Sequence, residues 1–150
     1  MTSGEAINTE KLLLSLDSAE RRYPPGFNFE AEDERAHELA RKVEELCPLR
    51  ALVEDYSLNQ DGSRFLRIAL FYRPSVSPVG EIQISSFGRL VTLVNVFPQF
   101  VGSVIELTKE CGYTFIDLVE LDKIYSGSQK FFLGRTWYSR YFQPFYGATR

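Results

Sequence analysis

The side chains that most often perform chemistry are few in this chain: one histidine, His37, and two cysteines, Cys47 and Cys111. A Cys–His nucleophile needs the thiol beside a base or a cation, and neither cysteine lies in a segment of that kind. These three residues also lack the paired spacing of zinc ligands. Isolated cysteines of this type are typical of buried thiols in a reducing compartment. We therefore predict no catalytic residue, no metal site and no cofactor.

Carboxylates offer a second route to chemistry, at Glu54 with Asp55 and at Asp117. Glu54 and Asp55 are neighbours in a predicted strand and point to opposite faces, which argues against an acid/base pair. Asp117 falls in a segment predicted to be a strand, residues 113–121. There it either lies on a working face of the sheet or simply faces outward, and both readings stay open. No glycine-rich phosphate-binding loop is present in the sequence.

The C-terminal segment is the richest in recognition chemistry. Residues 137–146 contain six aromatic side chains and Arg140. Trp, Tyr and Arg are enriched at binding hot spots, so Trp137, Tyr138 and Arg140 are candidate partner contacts. The alternative is a lid that closes the core. Stacking on nucleic-acid bases is disfavoured, because the chain is acidic overall and lacks an RNP-like motif.

Hydrophobic periodicity predicts the elements that must position these residues. Residues 1–8 carry no pattern and are predicted to be disordered, and Thr9 could cap a first helix. Helical spacing is clearest over residues 31–46, and Pro48 follows its end. The predicted helices cover residues 9–17, 31–46, 98–111 and 136–145, and the predicted strands cover residues 51–58, 64–73, 81–86, 90–97 and 113–121.

This order of elements predicts one α+β domain over residues 1–150. Consecutive strands joined by short turns favour antiparallel pairing, so we expect a mainly antiparallel sheet of about five strands with helices packed on one face. A chain of 150 residues is long enough to bury a core without disulfides or metals.

Charge is unevenly distributed along the chain. Residues 1–61 hold 14 acids and 7 bases, whereas residues 62–150 hold 6 acids and 10 bases. The acidic half disfavours DNA, because phosphate contacts need clustered Lys and Arg. It suits a basic partner, with Glu34, Glu38 and Asp55 as candidate contacts. The alternative, a helix face that is merely solvated, stays equally open.

The first residues show neither the basic nor the apolar stretch of a signal peptide, and no apolar run reaches the roughly 20 residues of a membrane helix. We therefore expect a cytoplasmic protein that inserts into no membrane.

A small acidic α+β chain that closes in Trp137-Tyr138-x-Arg140-Tyr141-Phe142 resembles immunity proteins of bacterial polymorphic-toxin and contact-dependent inhibition systems. Several of those families end in a similar W-x-x-R-[FY]-F segment. The resemblance covers residues 112–147. It implies a protein that binds one cognate toxin domain and blocks it in the cytoplasm. These families share no toxin-contact residues, so the resemblance assigns none here.

Two alternatives remain from the sequence. A secretion chaperone for an effector is similarly small and acidic, and is usually a dimer. A small enzyme or ligand-binding domain would use a pocket between the sheet and the helices, lined by Phe65, Phe71, Tyr113 and Phe115. The oligomeric state stays open.

Overall fold

The computed structural model describes residues 3–18, 23–55 and 64–142, without the side chains of residues 3–7, 55, 64 and 65. Its elements, in chain order, are α1 (Ser3–Leu16), α2 (Phe29–Leu46), β1 (Leu49–Asp55), β2 (Arg64–Tyr72), β3 (Ser77–Ser85), β4 (Leu90–Val94), α3 (Pro98–Glu110), β5 (Thr114–Phe115), α4 (Leu118–Leu121), a 3₁₀ turn (Lys130–Phe132) and α5 (Trp137–Tyr141). Helix α1 begins at Ser3, whereas the sequence predicted irregular structure through residue 8.

The sheet has five strands in the order β1-β2-β3-β4-β5, and β1 and β5 lie at its edges. Strands β1 to β4 pair antiparallel in sequence, and the two-residue β5 pairs parallel with β4. The predicted α+β fold with a mainly antiparallel five-stranded sheet is therefore confirmed.

Gly80 allows two segments of the chain to approach closely beside strand β3. It has φ +122°, and a Cβ at this position would lie 2.5 Å from the Val96 Cα. The Phe97 N–H donates to the Val79 carbonyl at 3.1 Å, so the segment after β4 is tied to β3 here. Only glycine meets both the conformational and the steric requirement.

Helix α2 packs on one face of the sheet, where its apolar stripe is fully covered. Asn28 caps its first turn by accepting a hydrogen bond from the Ala31 N–H at 3.0 Å. Leu39 and Val43 are both 0% exposed. Helices α2 and α3 together cover Leu66, Ile68 and Leu70, which are alternate residues of β2. Side chains on one face of a strand recur at every second residue, as this pattern requires. This first cluster contains Ala36, Leu39, Ala40, Val43, Cys47, Leu49, Leu66, Ile68, Leu70, Val79, Ile82, Ile84, Val91, Phe100, Val104, Leu107, Cys111 and Tyr113.

A second cluster forms where α1, α4, the 3₁₀ turn and α5 meet the β3–β4 turn. It contains Leu13, Phe87, Leu90, Ile116, Leu121, Tyr125, Phe132, Trp137, Tyr141 and Phe142. Tyr138 of α5 reaches Gln83, whose side chain lies on the opposite face of β3 from Ile82 and Ile84. Helices α2 and α3 thus pack on one face, and α1, α4, the 3₁₀ turn and α5 gather around the other side of β3 and β4.

Candidate partner interface

The C-terminal aromatic segment is part of the core as far as the structure describes it. Trp137 is 2% exposed, and Tyr141 and Phe142 are fully buried. The rings of Trp137 and Tyr141 stack with centroids 5.8 Å apart. Residues 143–146, the rest of the predicted patch, lie outside the described residues. The side chain of Trp137 therefore has the position of a lid residue, not that of a displayed contact.

Arg140 is also buried, with 0% exposure. Its Nε donates to Asp17 Oδ1 at 2.6 Å, and its guanidinium lies 4.6 Å from the centroid of the Phe87 ring. Tyr125 donates its hydroxyl to the other Asp17 oxygen at 2.5 Å. Burial and this bond raise the pKa of Tyr125 to about 12. The ion pair of Arg140 with Asp17 joins the end of α1 to α5 inside the second cluster.

Tyr138 is half-buried and ends a chain of hydrogen bonds that crosses the sheet. Its hydroxyl donates to Gln83 Oε1 at 2.6 Å, and Gln83 donates to Glu81 at 2.6 Å. Arg67 then joins Glu81, at 2.8 Å, to Glu54, at 2.7 Å. Sequence patterns could not predict this network, because its members come from β1, β2, β3 and α5.

Asp117 caps a helix and does not belong to a strand. Its side chain accepts from the Val119 N–H at 3.0 Å at the start of α4. Strand β5 ends two residues earlier, so the predicted strand over residues 113–121 is wrong beyond Phe115. Asp117 remains exposed. Asp55 is the last residue of β1, and its side chain lies outside the described part of the structure.

The solvent-facing side of α2 carries a row of carboxylates. Glu30, Glu34 and Glu38 recur at intervals of four residues, and all three are exposed. We call these three residues the acidic ridge. Like charges at this spacing destabilise a helix slightly, whereas Glu30 lies in the first turn of α2, where the helix dipole favours an acid. Helix α2 as a whole holds seven acidic and three basic residues.

The acidic ridge is only partly neutralised by neighbouring cations. Arg41 lies 2.5 Å from Glu38 and also pairs with Glu45. Its hydrogen bond lowers the pKa of Glu38. Glu34 forms no ion pair with any residue that the structure describes. The carboxylate of Glu34 is therefore available to a cation from outside the molecule.

An open groove of about 680 Å³ runs beside the ridge, between α2 and the end of α3. Its basic residues are held by internal partners: Arg35 donates to the Cys111 carbonyl at 2.7 Å, and Lys42 lies 3.9 Å from Glu110. The groove is lined by Ala31, Glu34, Arg35, Glu38, Lys42, Glu110, Cys111 and Gly112. We call it the α2–α3 groove.

His37 and the cysteines are not brought together as a reactive pair. His37 is exposed on α2, and its Nδ1 lies 2.9 Å from the Asp33 carbonyl. Cys47 and Cys111 are buried free thiols in the first cluster, and burial raises the pKa of each. Over residues 3–18, 23–55 and 64–142, no group of three His, Cys, Asp or Glu is placed to hold a metal ion.

The pocket predicted between sheet and helices is not assembled from the residues named for it. Tyr113 and Phe115 belong to the first cluster. Phe71 alternates with Leu70 and so faces the other side of the sheet. The side chain of Phe65 lies outside the described residues.

An apolar groove of about 540 Å³ opens instead at one end of the sheet. Its exposed members include Tyr72, at 37%, and Phe97, at 45%. The groove is lined by Pro48, Tyr72, Ser75, Ser77, Val79, Phe97, Gln99 and Phe100.

No family model matches the sequence, and no curated protein or solved structure matches the chain. Among the helices that the structure describes, none is both long enough and apolar enough to cross a membrane.

Proposed function

We propose that this chain binds and neutralises a basic protein domain, in the manner of an immunity protein, and that it does so without catalysis or a cofactor. The observation that carries this proposal is the acidic ridge on α2. A row of exposed carboxylates at helical spacing, two of which (Glu30 and Glu34) form no ion pair with the described residues, suits a partner that supplies Lys and Arg.

The geometry of the α2–α3 groove supports the same assignment. A basic side chain entering it meets Glu34 and Glu38 on one wall and Glu110 on the other. Complementary charge of this kind speeds association and fixes the orientation of the partner more than it adds affinity. We therefore expect the ridge to control the association rate and its salt dependence.

The partner would be a toxin domain, as the resemblance of the C-terminal segment implies. Trp137 and Arg140 are buried in the second cluster, so we do not assign them to the contact surface. Among the predicted contacts, we assign Glu34 and Glu38 to the interface, because both are exposed on α2 and line the α2–α3 groove.

The test begins with capture of a partner on the tagged chain from its native host, followed by expression of the captured domain alone. Growth arrest by that domain, relieved by this chain, is the result expected. Binding without any activity to relieve would contradict neutralisation.

The interface itself is tested with Glu34→Gln/Glu38→Gln. We expect an association rate about tenfold slower at low salt, and a weaker salt dependence, because exposed charges act over about a Debye length. Glu106→Gln/Asp122→Asn makes the same change in net charge at exposed residues outside the α2–α3 groove and should leave both unchanged. Equal effects from the two double variants would rule out the ridge as the contact surface.

The apolar groove beside Tyr72 and Phe97 favours a second candidate, a secretion chaperone that holds an apolar segment of its client. Chaperones of that kind are usually dimers. Sedimentation of the purified chain separates the two candidates, since a monomer that still captures a folded toxin domain favours neutralisation.

A further inference from the structure

Strand β1 is an edge strand, and one of its outward backbone groups is occupied in an unusual way. The Ala51 N–H donates to the carboxylate of Glu44 at 2.9 Å. Glu44 belongs to the last turn of α2, so the helix that precedes β1 supplies this acceptor. Arg73 fixes the same turn by donating to the carbonyls of Glu44, at 2.8 Å, and Cys47, at 2.7 Å.

The Ala51 N–H points away from the sheet, because it bonds to Glu44 while Ala51 lies opposite Leu70 of β2. Outward groups recur at every second residue of an antiparallel edge, so Val53 presents its backbone to the same side. Among the described residues no strand pairs with this side of β1, and an edge of this kind is a template on which another strand can pair.

The sequence of β1 is self-complementary across that edge. If two copies pair antiparallel about Leu52, Ala51 of one lies opposite Val53 of the other, with the outward groups of both in register. Arg50 then faces Glu54 of the second copy, and the two Leu52 side chains meet. Leu52 is 49% exposed and Arg50 is exposed in this structure.

We propose that the outer edge of β1 is a self-association surface for a second copy of this chain, and that Glu44 holds it closed. Pairing in this register needs the Ala51 N–H, which the Glu44 carboxylate already accepts from. The complementary charges of Arg50 and Glu54, the second of which also pairs with Arg67 of its own chain, favour the antiparallel two-fold arrangement, in which each contact occurs twice. This surface is separate from the acidic ridge.

The experiment compares self-association of the wild-type chain, Glu44→Ala and Glu44→Gln by sedimentation at increasing concentration. In Glu44→Ala the edge N–H is free, and we expect dimerisation at least roughly tenfold tighter than in the wild type. Glu44→Gln keeps an oxygen acceptor and should behave as the wild type. Glu45→Ala, at the neighbouring exposed residue, is the matched control. Should Glu44→Ala lower the melting temperature, Glu44→Leu repeats the measurement with a side chain of similar volume and no acceptor.

The register is tested by adding a second change to the Glu44→Ala variant. Arg50→Glu places like charges opposite one another and should abolish the dimer, whereas Arg50→Lys should keep it. Unchanged mass for both Glu44→Ala and Glu44→Leu would overturn the proposal. So would a dimer that persists in Glu44→Ala/Arg50→Glu, because it would show pairing with another surface.

Discussion

The two apolar clusters of this molecule differ in what they bury. The first, under α2 and α3, is mainly aliphatic and follows the regular periods of long elements. The second gathers α1, α4, the 3₁₀ turn and α5 around aromatic rings and also encloses the Arg140–Asp17 ion pair. The first cluster is therefore expected to be tolerant of conservative apolar changes, whereas the second depends on single polar contacts with strict geometry.

The largest effect that would sharpen this comparison is expected from Arg140→Met. It leaves the Asp17 carboxylate, whose side chain is 8% exposed, without its cation. Loss of one partner of a buried pair costs about 3–5 kcal/mol of unfolding free energy. Urea denaturation measures the change, and Asp17→Asn/Arg140→Met should recover much of it. A single-variant loss below about 1 kcal/mol would break the distinction between the clusters.

A smaller effect is expected from Tyr138→Phe, which removes the donor to Gln83. Gln83 is 4% exposed, so its amide oxygen would be left buried without that partner. We expect a loss of about 1–3 kcal/mol, again from urea denaturation. Phe131→Leu, at a residue 40% exposed, serves as a control for a change of ring at the surface. An unchanged midpoint in Tyr138→Phe would show that the hydrogen bond across the sheet adds no stability.

On the other side of the comparison, Asn28→Ala removes the cap of α2. The expected loss is about 1 kcal/mol, because only one hydrogen bond to the first turn is lost. Asn28→Asp should retain the stability, since a carboxylate also caps a helix and suits its N-terminus. A loss as large as that of Arg140→Met would mean that the first cluster depends equally on one polar contact.

The last effect is expected at alkaline pH, from Tyr125, because its phenol is uncharged at neutral pH in both the folded and the unfolded chain. Its raised pKa, about 12 against 10, means that the folded chain holds the proton more tightly. This contribution is complete below pH 10 and is lost between pH 10 and 12. The midpoint temperature of thermal unfolding should therefore fall less steeply with pH over that range in Tyr125→Phe than in the wild type. Parallel curves would assign the loss to other groups.

The sequence predicted the elements of the first cluster well, because long elements repeat their period. Leu66, Ile68 and Leu70 alternate over β2, and α2 repeats its apolar stripe over several turns. The second cluster could not be predicted in this way. Trp137 and Arg140 are chemically suited both to a hot spot and to a core, and only the position of Asp17, 123 residues away from Arg140, decides between them.

The same limit explains the assignment of Asp117 to a strand. The alternating pattern around it fits a strand, and the capping bond that starts α4 depends on a backbone turn that no pattern shows. The acidic ridge was visible in the sequence as charge. The sequence could not show that the ridge lies beside the α2–α3 groove, or that Arg35 donates to the Cys111 carbonyl. Both features depend on how α2 packs against α3.

The bond between Asp17 and Arg140 also determines which of the two clusters can fold first while the chain is being synthesised. The first cluster uses residues 36–113 and can close before the ribosome has added residue 140. The second needs residue 140 and its neighbours, so α1, which is made before the first cluster, waits for its partners until after that cluster can close. Until residue 140 emerges, Leu13 and Phe87 lack side chains that later bury them. The nascent chain thus exposes the apolar surface of α1 after the first cluster has formed.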